Sequence, residues 1–153
     1  MKRLVAIMAV VMACAAVGHA EGLGVGVEVS KNVYLSLMLP LEGLTLQGLV
    51  DLDRVSNGSD DDYIKGGLAL WMPVTEVGET TLHAFVQALF ESRTDYDAGY
   101  SGAVGIAPLA MIGESIGIGG KVGLQYEKHP APDGEDGHTE IGIEGSVSVH
   151  WFF

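Results

Sequence analysis

The sequence predicts an all-β chain: a transmembrane, antiparallel, up-and-down β-barrel of eight strands behind a cleaved signal peptide. Three observations predict it. Apolar and polar residues alternate with a period of two through most of the chain after residue 21, as in strands with two distinct faces. The face opposite the apolar one mixes glycine with charges of both signs. Short connections alternate with longer polar ones, which is the layout of a barrel with one short-turn rim.

Composition sets the outer bounds. The chain has 153 residues, 22 of them Gly, and 20 acidic against 8 basic residues give a net charge of −12. A single domain suits this length. Apolar content of 48% with only 18% charged residues argues against disorder. An acidic chain without a basic stripe repels phosphate backbones, so nucleic acid is set aside as a partner. One cysteine supports neither a disulfide framework nor a Cys-based zinc site.

Residues 1–20 read as the signal peptide. Met1-Lys2-Arg3 is the positive start, Leu4 to Val17 the apolar run, and Gly18-His19-Ala20 the small-residue cleavage site. The run is shorter than the ~18 residues that suggest a spanning helix. The mature barrel domain is then 21–153, and loss of Lys2 and Arg3 takes its net charge from −12 to −14. Val11-Met12-Ala13-Cys14 also resembles a lipoprotein cleavage box, but Ala20 is the better-placed site.

Eight alternating segments follow. Residues 22–29 put Leu23, Val25, Val27 and Val29 on one face, and 33–39 put Val33, Leu35, Leu37 and Leu39 there. Residues 43–53 offer Leu44, Leu46, Gly48, Val50 and Leu52, and 63–72 offer Ile64, Gly66, Leu68, Leu70 and Met72. In 80–92 the set is Leu82, Ala84, Val86, Ala88 and Phe90, although Leu82, Phe85, Val86, Leu89 and Phe90 also fit a helical stripe. The neighbouring segments favour a strand. Residues 99–109 contribute Tyr100, Gly102, Val104, Ile106 and Pro108, and 115–127 contribute Ile116, Ile118, Gly120, Val122, Leu124 and Tyr126. The last segment is the clearest, with Ile141, Ile143, Gly145, Val147, Val149, Trp151 and Phe153 on one face. None of these positions is charged.

The other face decides which side is inside. It carries Gly24, Gly26, Glu28, Ser36, Gln47, Asp51, Lys65, His83, Gln87, Glu91, Gly117, Gly119, Lys121, Gly123, Glu140, Glu144, Ser146, Ser148 and His150. Glycine weakens strands, so a soluble sandwich would rarely spend so much of it on a solvent face. A narrow closed barrel needs small residues to fit its lumen, and charges inside it must pair. The apolar face therefore points outward, which lipid requires. Short turns at 40–42, 73–79 and 110–114 mark the periplasmic rim, and longer connections at 54–62, 93–98 and 128–138 mark the outer one. The outer connection at 30–32 is reduced to Ser30-Lys31-Asn32, so the first hairpin is short and its loop should sit low.

The signal peptide, the eight alternating strands and the ending Val147-Ser148-Val149-His150-Trp151-Phe152-Phe153 resemble the small Gram-negative outer-membrane barrels of the OmpA/OmpX type. The Gly-rich strands and acidic stretches such as Asp60-Asp61-Asp62-Tyr63 are also similar to YfaZ-like barrels. The resemblance implies that Val149, Trp151 and Phe153 form the terminal signal read by the barrel-assembly machinery. It implies an outer-membrane location with both termini periplasmic, contact with outer-membrane lipid and lipopolysaccharide, and a monomer. The aromatic girdle is thin, with Trp71, Trp151, Phe152 and Phe153 expected on the periplasmic side.

Four sets of residues are candidates for chemistry. Lys65, Lys121 and Arg93 against Glu28, Asp51, Glu91, Glu140 and Glu144 suggest an ion-pair network inside the barrel. Such pairs either lock the lumen, since an unpaired buried charge is costly, or line a narrow ion path. Glu144, Ser146, Ser148 and His150 share the inward face, but residues two apart on a strand stand about 7 Å apart, too far for a nucleophile and its base. Asn57, Ser59 and Asp60 to Asp62, and Asp133, Glu135 and Asp136, offer oxygens to Ca²⁺ or Mg²⁺ without the spacing of an EF-hand. His129 and His138 flank the second acidic loop as possible transition-metal ligands. Gly117-Ile118-Gly119-Gly120-Lys121-Val122 lacks the leading Gly and final Ser/Thr of a phosphate loop. The expected function is a non-catalytic, cofactor-free scaffold in the outer membrane that presents acidic loops to surface partners. The alternative is a narrow ion or small-solute pore.

Overall fold

The computed structural model describes residues 22–52, 63–93, 96–129, 131 and 137–153. Residues 1–20, read above as a signal peptide with Cys14 among them, and most of both acidic stretches lie outside the described residues. Eight strands follow in order: β1 (Gly24–Val29), β2 (Val33–Leu41), β3 (Leu44–Asp51), β4 (Tyr63–Val77), β5 (Thr80–Arg93), β6 (Gly99–Ile112), β7 (Ile116–Lys128) and β8 (Thr139–Phe152). Each pairs antiparallel with the next, and β8 closes on β1. The chain is an up-and-down β-barrel. The segment 82–90, with its helix-like stripe, is strand β5.

Closure is staggered. One rung runs from Gly26 through Ser36, Leu49, Gly67, Leu89, Ser101 and Glu127 to Glu140. Gly26 itself pairs with His150, ten positions further along β8 than Glu140. A shift of that size accompanies strands tilted by roughly 35–45°. The tilt brings side chains from distant strands to one level of the lumen.

Two-residue turns close the first two hairpins of the turn end. Gly43 and Gly78 sit there at φ of 77° and 62°, a region where residues with a Cβ are strained. Pro73 was expected to lie in a connection, but β4 runs on to Val77 past a register shift between Pro73 and Thr75. Proline has no N–H for the ladder, and a bulge is where a strand tolerates it. The first three strands are 6, 9 and 8 residues long against 13 to 15 for the rest. The barrel wall is therefore low at the 30–32 loop.

The apolar faces point outward. Leu68 is 57% exposed, Leu124 66%, Ile141 76% and Ile143 77%. Trp151 and Phe153 share that outer face. Trp71 and Phe152, expected in the aromatic girdle, turn inward instead. Trp71 is fully buried, and Phe152 packs against the interior cluster of Met38, Trp71, Phe85, Ala103 and Ala107. Parity explains both: each is an odd number of residues from its outward neighbours Leu70 and Trp151.

Phe152 is seated on glycine. A Cβ on Gly24 of β1 would lie 2.6 Å from its ring, and one on Gly117 of β7 would lie 2.7 Å from it. The ring is closed in on both flanks and only partly buried, so it can give way only towards its open side. Gly24→Val should therefore destabilise the barrel by about 1–3 kcal/mol, the usual cost of overpacking. Denaturant unfolding followed by tryptophan fluorescence checks this; an unchanged midpoint would show that Phe152 is free to move.

Candidate functional site

Polar chemistry converges chiefly in the interior, which is layered. Nearest the turn end lies the apolar cluster of Met38, Trp71 and Phe85, completed by Leu109 and Phe152. Towards the loop end Tyr34, Leu49 and Leu89 form a second, smaller cluster. A polar hub joins the two.

Lys121 is the centre of the hub. Its ammonium lies 2.6 Å from Glu28 Oε1, donates to Gln87 Oε1 and reaches Gln47 Oε1 at 3.4 Å. The Phe85 ring centroid is 5.7 Å away. Lys121 and Glu28 are both 1% exposed, so their attraction acts far from bulk water. Gln47 then divides its groups: Nε2 donates to Glu28 at 2.8 Å and to Ser36 at 2.7 Å, while Oε1 accepts from Trp71 Nε1 at 2.9 Å. Ser36 Oγ and His150 Nε2 share a bond of 2.8 Å. Gln87 Nε2 donates to Glu144 Oε1 at 3.0 Å. The hub locks seven strands, all but β6, together through side chains alone.

A second charge group sits at the loop-end rim. Lys65 lies 3.3 Å from Glu91 and 3.9 Å from Glu127. Exposed Lys31 reaches Glu127 at 3.7 Å. Asp51 accepts from Asn32 Nδ2 at 2.7 Å near the same rim. Glu140 is placed differently from expectation: its side chain is 54% exposed and stands 3.6 Å from His129 Nε2. It belongs to the loop-end rim. The side chain of Arg93 lies outside the described residues.

The expected network therefore resolves into two. Glu28, Lys121 and Glu144 belong to the deep hub, and Lys65 and Glu91 to the rim. Sequence reasoning missed Glu127, which the ladder sets opposite Glu140. It also passed over Gln47, Gln87 and Trp71 as hub members. All four stand on inward positions of their strands, so parity was the available signal.

The serines of β8 do not assemble a nucleophile and base. The Ser–His contact among the described residues is Ser36 with His150, both almost fully buried, and His150 Nδ1 has no partner to orient it. His129 and His138 stack with ring centroids 6.1 Å apart. Among the described residues no set of three or more His, Asp or Glu side chains converges as a metal site. Asp60 to Asp62, Asp133, Glu135 and Asp136 lie outside the described residues.

No known protein family, curated protein or solved structure matches the chain. Fold and chemistry alone carry the functional reading.

Proposed function

We propose that this protein is a bacterial outer-membrane barrel that acts as a surface-interaction scaffold, presenting its acidic loops outward without catalysis. The observation that carries the membrane reading is the continuous apolar outer wall. Every strand but β3 contributes at least one exposed large apolar side chain to it, while lysine, glutamates, glutamines and histidines fill the inside. A barrel dissolved in water would need the reverse arrangement, since large contiguous apolar patches are rare on soluble monomers. Residues 1–20 supply the export signal, and Val149, Trp151 and Phe153 supply the outward-facing terminal pattern that assembly machinery would read. With an even strand number both termini lie on the short-turn side, the periplasmic one in this orientation.

The filled lumen favours a scaffold over a pore. Trp71, Phe85, Met38 and the Lys121–Glu28 pair occupy the level an ion would have to cross. Planar-bilayer recording tests this directly. The wild-type protein should give no reproducible unitary current, because eight strands leave an interior only just wide enough for side chains. A steady small conductance altered by Lys121→Glu would establish the pore reading in its place.

A further inference from the structure

Strand β8 outruns the strand beside it. β1 ends at Val29, opposite Val147, and β8 continues towards the loop end from Ser146 to Thr139. Residues 139–146 pair with β7 on one side. Among the described residues no strand pairs with their other side, and no loop backbone bonds to it. Exposure agrees: Ile141 and Ile143, at 76% and 77%, are the most exposed large apolar side chains among the described residues. A neighbouring strand would shade them. At the usual rise the bare edge is about 24 Å long.

Such an edge offers unpaired N–H and C=O groups as a template for another strand. Proline, lysine or a bulge commonly blunts an edge. The stretch Thr139-Glu140-Ile141-Gly142-Ile143-Glu144-Gly145-Ser146 has no proline or lysine, and its register with β7 is unbroken. Its side chains describe the partner. Ile141 and Ile143 face outward, while Glu140 and Glu144 stand at inward positions with Gly142 between them. A Cβ on Gly142 would meet nothing within 4 Å, so the inner side is open there. An added antiparallel strand sets apolar residues beside the isoleucines and its alternate residues beside the two glutamates. Opposite charges on facing positions attract and like charges repel, so those alternate residues are lysine or arginine.

A second copy in the same membrane does not fit this edge. Its β8, and the short end of β4 that extends past β3, both run from the loop end to the turn end. Neither can therefore lie antiparallel to β8 here.

We propose that the free edge of β8, residues 139–146, is a docking site for an extended peptide segment of another protein, one that alternates apolar and basic residues and adds to the barrel as a strand. Main-chain bonds hold such a segment and the alternate side chains select it. The inference deepens the scaffold reading and rests on it for the setting. The binding test uses the detergent-folded barrel, so it can fail while membrane fractionation succeeds.

The test is fluorescence anisotropy with labelled, capped peptides. A peptide of alternating valine and lysine should bind at least about tenfold more tightly than one of alternating valine and glutamate. In an added strand only every second residue turns its N–H to the barrel. N-methylation of all the valines or of all the lysines should therefore abolish binding in one case and spare it in the other. Glu140→Lys, which changes an exposed carboxylate, should weaken binding about 5–10-fold. Glu114→Lys, exposed at the turn end, should leave it unchanged. Absence of binding would overturn the proposal. So would equal binding by both N-methylated peptides, or by a peptide with its lysines clustered at one end, since either marks attraction of charge without strand pairing.

Discussion

Replacing Lys121 with methionine should destabilise the barrel by about 3–5 kcal/mol, the cost of leaving one member of a buried ion pair alone. The stranded charge is Glu28, which is 1% exposed and keeps only the Gln47 amide. Gln87 Oε1 and Gln47 Oε1 lose a charged donor in the same step. Glu28→Gln alone should also be damaging, since it strands the ammonium. The double variant Glu28→Gln/Lys121→Met should recover much of the loss, because no charge is then buried at that pair. Contacting residues are where such non-additivity is expected. Denaturant midpoints of the four proteins measure it. Simple additivity would mean that the two side chains are not energetically paired.

Trp71→Ala should lower stability by a similar amount, about 3–5 kcal/mol. The indole is fully buried, meets the His83 ring edge-on with centroids 5.6 Å apart and donates to Gln47 Oε1. Removing it opens a cavity in the apolar cluster and takes a donor from the hub. Trp151→Ala is the natural control, as that ring lies on the outer wall and fills no cavity. Equal losses for the two variants would argue against an interior plug.

The faces of the strands were legible because alternation reports parity without any knowledge of partners. Glu28, Ser36, Gln47, Lys121, Glu144 and His150 all point inward as parity requires. Expectation and structure part where residue type outranks it. Trp71 and Phe152 look like girdle aromatics by composition, but Leu70 and Trp151 beside them already fix both rings inside. The helix-like stripe in 82–90 has the same origin: Phe85 and Leu89 are interior residues that plug the lumen, adding apolar positions to both faces of β5. What alternation cannot supply is level. Lys121 on β7 meets Glu28 on β1 across β8 because the ladder closes with a ten-residue shift, and that shift is written in no single strand. For the same reason parity alone places Glu140 in the lumen, although it and its ladder partner Glu127 stand at the rim.

The most direct test concerns the outer wall. The full-length chain is expressed in a Gram-negative host, outer membranes are isolated, and the protein is run on SDS gels unheated and boiled. The expected result is a band in the outer-membrane fraction whose mobility changes on boiling, as a closed, detergent-resistant barrel requires. A soluble periplasmic protein with one mobility under both conditions would contradict the assignment of the apolar face to lipid.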